Sequence, residues 1–282
     1  MKNSKFWQNV DGISLINLDH RKERLNSALE QFKDLVPVEK VTRVAAVDGK
    51  AIKGYGEKPW FNNGKKDQKW AGRAGCTLSH RKALELAVAR KWKTMLILED
   101  DFMCLSQDDC LWESLAQKIF YNNNEWNVMY LGFTTPSGPV RLISKINSDR
   151  SLFQIQGAKT THAYLVKLDF AEWLLNKLPI EENIWQWCSR KRVIDRWYSR
   201  NLSRKGNIYC ISPSLFVQSD FKSDIVDARS KTTDNQDFTW EIPNYLELQS
   251  FYSLRKIFFN AKSWLIEMLE SIGGYFKRFI GF

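Results

Sequence analysis

The sequence predicts an α/β fold in which buried strands alternate with amphipathic helices. Residues 13–18 form a short apolar run, and the apolar positions of residues 25–32 recur with helical spacing directly after it. Residues 95–98 form a second apolar run, which is too short for a helix and suits a buried parallel strand. A β-α unit at the start and a later buried strand are typical of an open α/β sheet.

Further elements follow along the chain with the same alternation. Residues 41–47 predict a strand that ends at an Asp48-Gly49 turn, and residues 50–70 predict an exposed loop. The remaining patterns predict helices at 112–119 and 170–178 and strands at 126–133, 153–155, 162–166 and 208–212.

The composition supports a packed protein with anionic partners. Apolar residues make up 44% and aromatic residues 13% of the 282 residues, which is enough for a core and excludes a disordered chain. The formal net charge of +10 favours nucleotide diphosphates, phosphorylated glycolipids or an anionic membrane surface. Nucleic acid would also suit this charge, but no zinc-finger spacing or RNP-like motif is present, so we expect no nucleic-acid partner.

Cysteine usage and the apolar runs favour a cytoplasmic protein. The cysteines are odd in number and include no CxxC pair, which favours a reducing compartment. A Cys104–Cys110 disulfide in an oxidising compartment is the alternative. The N-terminal segment lacks the apolar region of a signal peptide, and no apolar stretch is long enough to predict a membrane span.

Three consecutive carboxylates, Glu99, Asp100 and Asp101, follow the apolar run 95–98 without a spacer. Open α/β sheets bind ligands beyond the carboxyl ends of their strands. Carboxylate oxygens suit Mg²⁺ or Mn²⁺, and such an ion would neutralise a diphosphate. A solvated strand end that caps the next helix is the alternative interpretation.

Upstream of the acids, Gly72 and Gly75 predict a glycine-rich turn before a helix that runs through Trp92. Glycines permit a close backbone approach, and the free N–H groups of a helix start attract phosphate. Ser79 and His80 stand in the same stretch. Each residue also has a structural interpretation: a plain turn for Gly75, a cap for Ser79 and a core histidine for His80.

Together these motifs are more specific than any one of them. GRAGCTLSH at residues 72–80, followed by ILEDD at residues 97–101, resembles glycosyltransferase family 25, which includes bacterial lipooligosaccharide and collagen galactosyltransferases. The resemblance implies a GT-A-like, Rossmann-type nucleotide-sugar-binding fold and transfer of a sugar, most often galactose, from UDP with inversion. It also implies a divalent metal, Mn²⁺ or Mg²⁺, held by Glu99 and Asp101. The residues that it implies for donor binding are Asn17, Arg21, Asp48, Gly72, Gly75, Ser79, His80 and Asp100.

Some of these assignments have alternatives. INLDHRKERL resembles the opening segment of the family, with Asn17, Arg21 and Arg24 at the matching positions. We expect Arg21 to contact a diphosphate or solvate its helix with equal weight, and Arg24 to face solvent. Asp48 lies in a stretch similar to the AxDG segment of the family, where it would contact ribose or uracil, although a turn explains it equally well.

The second half of the chain supplies the expected catalytic base. GAKTTHAYLV resembles the family's Gly-Thr-Ala-Tyr stretch, and Asp195 in VIDRWYS would take the proton from the acceptor hydroxyl. An ion pair of Asp195 with Arg192 or Arg196 is the alternative. Residues 213–225 resemble a closing segment in which Gln218 and Asp224 would serve acceptor or metal, with a helix or turn cap as the alternative for Asp224.

The tail differs in composition from the rest of the chain. Residues 251–282 predict a basic amphipathic helix, broken at Gly273-Gly274, that lies on an anionic membrane. Packing on the catalytic domain or a dimer contact is the alternative. We therefore divide the chain into a catalytic domain, 1–245, and a tail, 246–282, and expect a lipooligosaccharide or LPS acceptor at the cytoplasmic face of the inner membrane. A non-catalytic nucleotide-sugar- or glycan-binding protein is the competing function.

Overall fold

The computed structural model contains an eight-stranded mixed sheet with helices on both faces. It describes residues 4–61, 67–122, 125–190, 193–219 and 251–280, with side chains in the last segment up to residue 273. The strands are β1 (Gly12–Asn17), β2 (Val41–Ala45), β3 (Thr94–Glu99), β4 (Phe102–Cys104), β5 (Val128–Gly132), β6 (Thr135–Ser137), β7 (Arg141–Lys145), β8 (Ser151–Ile155), β9 (Gly157–Lys159), β10 (Ala163–Lys167), β11 (Ile208–Ser212) and β12 (Phe216–Gln218).

The helices alternate with the strands in the first half of the chain and cluster in the second half. They are α1 (Lys5–Gln8), α2 (Lys22–Leu35), α3 (Gln68–Ala89), α4 (Asp109–Ala116), α5 (Leu168–Leu175), α6 (Ile184–Ser189), α7 (Ile194–Asn201) and α8 (Tyr252–Ile280). The predicted α/β class is therefore confirmed.

The strand order of the sheet is β2-β1-β3-β10-β5-β11-β8-β7. Strands β2, β1 and β3 are parallel, so their carboxyl ends share one edge. The chain moves outward from β1 to β2 and then crosses back over β1 to β3, which makes the gap between β1 and β3 a topological switch point. Ligands of open α/β sheets bind at such points.

The expectation of a parallel environment for residues 95–98 is only half right. Strand β3 pairs in parallel with β1 but antiparallel with β10, which in turn pairs antiparallel with β5. An apolar run reports burial on both faces, not the direction of the neighbouring strand. The burial itself is confirmed, because Met95 to Leu98 are inaccessible to solvent.

Two apolar cores lie on the two faces of the sheet. Leu96 of β3 belongs to the core formed with α1, α2 and α4, and Ile97 belongs to the core formed with α3, α5, α6 and α7. Successive strand residues point to opposite faces, which is why neighbouring residues of β3 enter different cores. The five cysteines are free, so Cys104 and Cys110 do not form the alternative disulfide.

Helix α8 packs on the rest of the protein through its polar side. The hydroxyl of Tyr252 accepts a hydrogen bond from Gln156 Nε2 at 2.7 Å. The acidic residues of α8 pair with α7 and the turn that follows it, as shown by the contacts Arg200–Glu270 at 2.9 Å and Arg204–Glu267 at 2.7 Å. The helix continues through Gly273 and Gly274, so the expected break is wrong.

The opposite side of α8, which we call its outer face, is apolar and exposed. Phe258 is 72% exposed and Ile257 is 63% exposed. The other large apolar residues of this face are Leu254, Trp264, Leu265, Met268, Leu269 and Ile272. Within the described residues, no helix is long and apolar enough to cross a membrane.

Candidate active site

The carboxylates at the end of β3 meet the end of β1 across the switch point. Because the two strands are parallel neighbours, Asn17 at the last position of β1 lies beside Asp100. Asn17 Nδ2 donates to Asp100 Oδ2 at 2.6 Å, and Asn17 Oδ1 accepts from Arg43 Nε at 2.9 Å. Asn17 thus links the acids to the end of β2.

Arg24 of α2 completes the environment of Asp100. Its guanidinium Nη1 lies 3.2 Å from Asp100 Oδ1 and 3.7 Å from Asp101 Oδ2. Arg24 is buried, so the expectation that it faces solvent is wrong. The helical pattern places Arg24 beside an apolar stripe but does not show that two buried carboxylates lie opposite it. Burial raises the pKa of Asp100, although the hydrogen bond from Asn17 and the charge of Arg24 oppose this shift.

Asp101 is less completely satisfied than Asp100. Its Oδ2 atom is 3.4 Å from Gln218 Nε2, and its backbone carbonyl accepts from Ser219 Oγ at 2.8 Å. Its Oδ1 atom is buried without a hydrogen-bond partner among the described residues. Burial, followed by the charge of Glu99, raises the pKa of Asp101 to about 7. A carboxylate in this state is stabilised by a cation.

The β4–β12 ribbon brings Gln218 to this site. Strand β4 begins directly after Asp101, and its Phe102 pairs with Gln218 at the end of β12. Gln218, which was predicted to serve acceptor or metal, therefore lies beside Asp101. Asp224, the other residue predicted in that segment, lies outside the described residues.

Glu99 points toward helix α3 and the start of β10. Its Oε1 atom is 3.2 Å from His80 Nε2 and accepts from Thr161 Oγ1 at 3.1 Å. The second ring nitrogen of His80, Nδ1, is 3.1 Å from the hydroxyl of Tyr164. Burial alone raises the pKa of Glu99, but the hydrogen bond and charge of His80 outweigh it, so the pKa lies below its usual value.

The glycines of the first motif lie inside a helix. Helix α3 begins at Gln68, where Asp67 caps it by accepting from the backbone N–H of Lys69 at 2.8 Å. Gly72 and Gly75 therefore occupy its second and third turns, so the predicted glycine-rich turn is wrong. Glycine has another use here, because a Cβ atom on Gly75 would lie 2.4 Å from the carbonyl oxygen of Val47.

This close approach fixes the loop after β2 against α3. The hydroxyl of Ser79 accepts from Val47 N at 2.8 Å and donates to the Gly75 carbonyl at 2.6 Å. A Cβ atom on Gly49 would lie 1.7 Å from the carbonyl oxygen of Ala71, which is incompatible with any larger residue at this position. Gly75 and Ser79 thus position the Asp48 loop. They do not begin the helix.

Two other predicted donor residues lie near the same edge of the sheet. Asp48 is exposed, and its carboxylate accepts from Lys50 N at 2.9 Å, which forms the turn predicted as its alternative role. Arg21 immediately precedes α2, with a side chain 22% exposed and 3.7 Å from Glu23. Its carbonyl accepts from Asn17 Nδ2 at 3.0 Å, which joins this loop to the acidic cluster.

Asp195 lies in the first turn of α7 and is partly exposed. Its carboxylate accepts from the backbone N–H of Arg196 at 2.6 Å. Burial raises the pKa of the Cys76 thiol well above its usual value, and the charges of Glu99, Asp195 and Asp101 add to this effect. Glu99 and Asp101 lie at the end of β3 and Asp195 lies on α7, so charges from two separate elements act on this thiol.

Sequence reasoning missed several contacts of the site. Arg24 stood in a recognised motif but was expected to face solvent. Thr161 and Tyr164 stood in the GAKTTHAYLV stretch without an assigned contact, although strand alternation places Tyr164 on the face of the sheet toward α3. The polar partners His80 and Thr161 become recognisable only when β10 is known to lie beside β3.

Comparisons with known proteins give one informative result. No curated protein matches the sequence. Among solved structures, A197 from STIV is 10% identical, covers 75% of this chain and 85% of its own, and has a TM-score of 0.41. Mannose-1-phosphate geranyltransferase from Thermus thermophilus is 14% identical, with coverages of 77% and 76% and a TM-score of 0.38. A glycosyltransferase involved in glycosylation of the major capsid of PBCV-1 is 14% identical, with coverages of 76% and 95% and a TM-score of 0.29.

An acidic cluster at the switch point of an α/β sheet is typical of enzymes that bind nucleotides or related phosphate ligands. The sequence defines the class more closely. The chain belongs to glycosyltransferase family 25, because the family model described as glycosyltransferase family 25 (LPS biosynthesis protein) matches residues 11–183. The resemblance seen in the sequence is confirmed, and membership supports a glycosyltransferase activity. The matched range contains every residue predicted for donor binding and the predicted metal ligands Glu99 and Asp101, whereas Asp195, Gln218 and Asp224 lie beyond it.

Proposed function

We propose that this protein is an inverting glycosyltransferase with a GT-A-like fold that transfers galactose from UDP-galactose to a hydroxyl of a lipooligosaccharide or LPS acceptor. Family membership supports the reaction class. The observation that carries the site assignment is Asp101, whose Oδ1 atom is buried without a described partner at the switch point. Such an atom is costly unless a ligand completes it.

The donor set at this point fits a hard divalent ion such as Mn²⁺ or Mg²⁺. Asp101 offers Oδ1, and the contacts of Glu99 with His80 and Thr161 both fall on Oε1, so we assign Glu99 Oε2 as the second ligand. Gln218 is an additional neighbour of Asp101. Oxygen ligands of this kind suit Mn²⁺ and Mg²⁺ better than softer metals. A bound ion would neutralise the diphosphate and assist departure of UDP.

The predicted donor residues divide into two groups in this proposal. Arg21 and Asp48 have accessible side chains near the edge and would contact the diphosphate and the ribose or uracil, respectively. The others are already engaged in packing or hydrogen bonds and would shape the pocket by positioning the loops and carboxylates around it. This second group comprises Asn17, Gly72, Gly75, Ser79, His80 and Asp100.

Asp195 is the proposed catalytic base. Inversion requires a carboxylate that removes the acceptor proton while the hydroxyl attacks the anomeric carbon from the side opposite UDP. Asp195 is partly exposed, and its charge acts on the Cys76 thiol together with the charges of Glu99 and Asp101. Both facts support a place beside the donor. Asp224 and Gln218 remain the proposed acceptor-side residues.

Transfer kinetics test this assignment. Asp195→Asn should lower turnover by about 10²–10⁴-fold while the KM for UDP-galactose stays within about twofold, because a general base acts in the transition state. Asp169→Asn is the matched control, since Asp169 is exposed in the first turn of α5, at the carboxyl end of the oppositely directed strand β10. Equal losses of turnover and donor affinity would show that Asp195 has a structural role.

The competing function is a non-catalytic protein of the same family that binds a nucleotide sugar or a glycan. Such a protein would be stabilised by UDP but would release no UDP from a UDP-sugar in the presence of acceptor. A nucleic-acid-binding protein would instead show salt-sensitive binding to DNA or RNA without protection by UDP.

We further propose that residues 246–282 form a tail that docks the catalytic domain, 1–245, on an anionic membrane. Both acidic residues of α8, Glu267 and Glu270, are used in ion pairs on its inner side. The exposed cations Arg255 and Lys262 lie at the border of the apolar outer face. Such a face suits an anionic lipid interface. This arrangement would locate the enzyme at the cytoplasmic face of the inner membrane, next to a lipid-linked acceptor.

A further inference from the structure

A second group of metal-ligand atoms lies beside the proposed manganese site. The ligand atoms of Cys76, His80 and Glu99 all lie within 4.8 Å of one another. Cys76 and His80 are four residues apart on α3, so their side chains project from the same face of the helix. Glu99 reaches them from the end of β3. This convergence comes from two separate elements and is not a local feature of one helix.

A hydrogen-bond partner already holds the second ring nitrogen of His80. His80 is 1% exposed, and its Nδ1 atom is held 3.1 Å from the hydroxyl of the fully buried Tyr164. This contact directs Nε2 toward Glu99 Oε1 at 3.2 Å. Metal-bound histidines are commonly oriented in this way, because a hydrogen bond at one ring nitrogen fixes the ring while the other nitrogen coordinates the ion.

The sulfur, nitrogen and oxygen donors of this group indicate which ion it would bind. A thiolate, an imidazole and a carboxylate together form a set typical of Zn²⁺, whereas Mn²⁺ and Mg²⁺ prefer oxygen alone. A tetrahedral Zn²⁺ ion with bonds of about 2.0–2.3 Å holds its ligand atoms roughly 3.3–3.8 Å apart. The ligand atoms of Cys76, His80 and Glu99, which lie within 4.8 Å of one another, need to move only a short distance closer together to reach these separations.

One side of the group remains open to solvent. Cys76 is partly exposed and the side chain of Glu99 is 24% exposed, whereas His80 and Thr161 close the inner side. An ion can therefore enter from solvent, and water can occupy its fourth position. Three protein ligands and one open position are the arrangement of catalytic and regulatory zinc sites.

We propose that Cys76 Sγ, His80 Nε2 and Glu99 form a Zn²⁺ site that is distinct from the oxygen site at Asp101. Binding displaces the thiol proton of Cys76 to solvent and leaves the thiolate bound to the metal. Both sites use Glu99. Two dications on one carboxylate repel each other, so where the proposed transferase function holds, Zn²⁺ lowers the affinity for Mn²⁺ and inhibits transfer.

Metal binding to the full-length, metal-free protein tests the site directly. Isothermal titration with Zn²⁺ should show one ion per chain, and Cys76→Ser should weaken binding by about tenfold or more. Co²⁺ should give a thiolate-to-cobalt charge-transfer band that Cys76→Ser abolishes. Cys110→Ser is the matched control, because Cys110 is an exposed cysteine on α4 and its removal should leave the band intact.

Further measurements distinguish loss of the zinc site from a folding defect and from failure of the proposed function. Circular dichroism and the thermal midpoint should be the same for Cys76→Ser and wild type, and His80→Ala provides an independent ligand deletion. Asp101→Asn should retain the cobalt–thiolate band even if the protein transfers no sugar. A wild-type cobalt complex without this band, or Zn²⁺ affinity unchanged in both ligand variants, would overturn the site. Transfer unaffected by saturating Zn²⁺ would overturn the inhibition.

Discussion

The end of β3 and the outer face of α8 each reverse the usual distribution of polar and apolar groups. At the end of β3, Asp100 is buried and the side chain of Asp101 is only 13% exposed, and among the described residues Arg24 is the cation paired with both carboxylates. On α8, large apolar side chains face solvent while Glu267 and Glu270 are turned inward. Both arrangements cost stability in the isolated protein. The difference is that an additional cation would stabilise the first arrangement, whereas an apolar surface would stabilise the second.

Removal of Arg24 is expected to have the largest effect on stability. Arg24→Ala would leave the buried Asp100 and the partly buried Asp101 without their cation, which costs about 3–5 kcal/mol in the free energy of unfolding. Urea denaturation at pH 7 measures this loss. Arg90→Ala is the control, because Arg90 is an exposed arginine and its removal should cost less than about 1 kcal/mol. A similarly small loss for Arg24→Ala would contradict the buried ion pair.

Asp101→Asn should stabilise the metal-free protein above pH 7. The pKa of Asp101 is about 7 in the folded protein, whereas the pKa of an ordinary aspartate is 3.8, so folding favours the protonated carboxyl. Relative to the variant, the wild type therefore loses stability as pH rises from 3.8 to about 7, and the deficit then stays constant. One pKa unit corresponds to about 1.4 kcal/mol, so we expect a deficit on the order of 4 kcal/mol at pH 8.

Unfolding curves of both proteins in EDTA between pH 4 and pH 8 check this difference. Asp169→Asn, which alters an exposed carboxyl, should follow the wild type at every pH. Parallel curves for Asp101→Asn and wild type would mean that Asp101 ionises as readily in the folded protein as in the unfolded chain.

The outer face of α8 should control lipid binding without affecting the fold. Phe258→Gln combined with Leu265→Gln removes two exposed apolar side chains and should weaken partition into phosphatidylglycerol vesicles by about tenfold or more. Vesicle co-sedimentation measures this effect, and an unchanged thermal midpoint would confirm that the side chains do not contribute to the core. The matched substitution Leu29→Gln removes an exposed leucine on α2 and should leave partition unchanged.

Sedimentation equilibrium distinguishes a membrane from a second copy of the chain. If the outer face is a dimer contact, the wild type will self-associate without lipid and the double variant will be monomeric. Equal vesicle binding by both proteins would contradict the membrane proposal.

The ion pairs on the inner side of α8 should have the smallest effect. The Arg204–Glu267 pair is partly exposed, with side-chain exposures of 33% and 27%, so Arg204→Ala should cost no more than about 1 kcal/mol. A double-mutant cycle with Glu267→Gln isolates the pairwise contribution. A coupling above about 2 kcal/mol would mean that α8 is held on the domain mainly by charge.

Local pattern predicted much of the sheet and the position of the acids. Strand β11 was predicted with its observed bounds, and the apolar run before Glu99 identified β3 because continuous burial leaves a clear signal. The resemblance singled out Gln218, which lies beside Asp101 although more than a hundred residues separate the two. In each case one short stretch of sequence is sufficient for the prediction.

The remaining features depend on contacts between distant segments. Arg24 has the same helical spacing whether it meets water or Asp100, so its burial follows only from the position of α2 over the sheet. The glycines of α3 suggested a turn because glycine is common there, yet Gly75 is required by the approach of Val47. The amphipathic pattern of α8 revealed two faces but not which one would contact the domain.

Thermal stabilisation by UDP-galactose is the most direct test of the proposed donor site at the end of β3. The midpoint should be measured for the wild type and for Asp101→Asn, each with Mn²⁺ and with EDTA, and UDP-glucose and UDP-N-acetyl sugars serve as donor controls. The midpoint should rise with UDP-galactose and Mn²⁺ in the wild type and change little or not at all in Asp101→Asn. At a hundredfold excess of ligand over its Kd, the rise corresponds to about 2.7 kcal/mol in the free energy of unfolding. An equal rise in both proteins, or no rise with any UDP-sugar, would contradict a metal-dependent donor site at the end of β3.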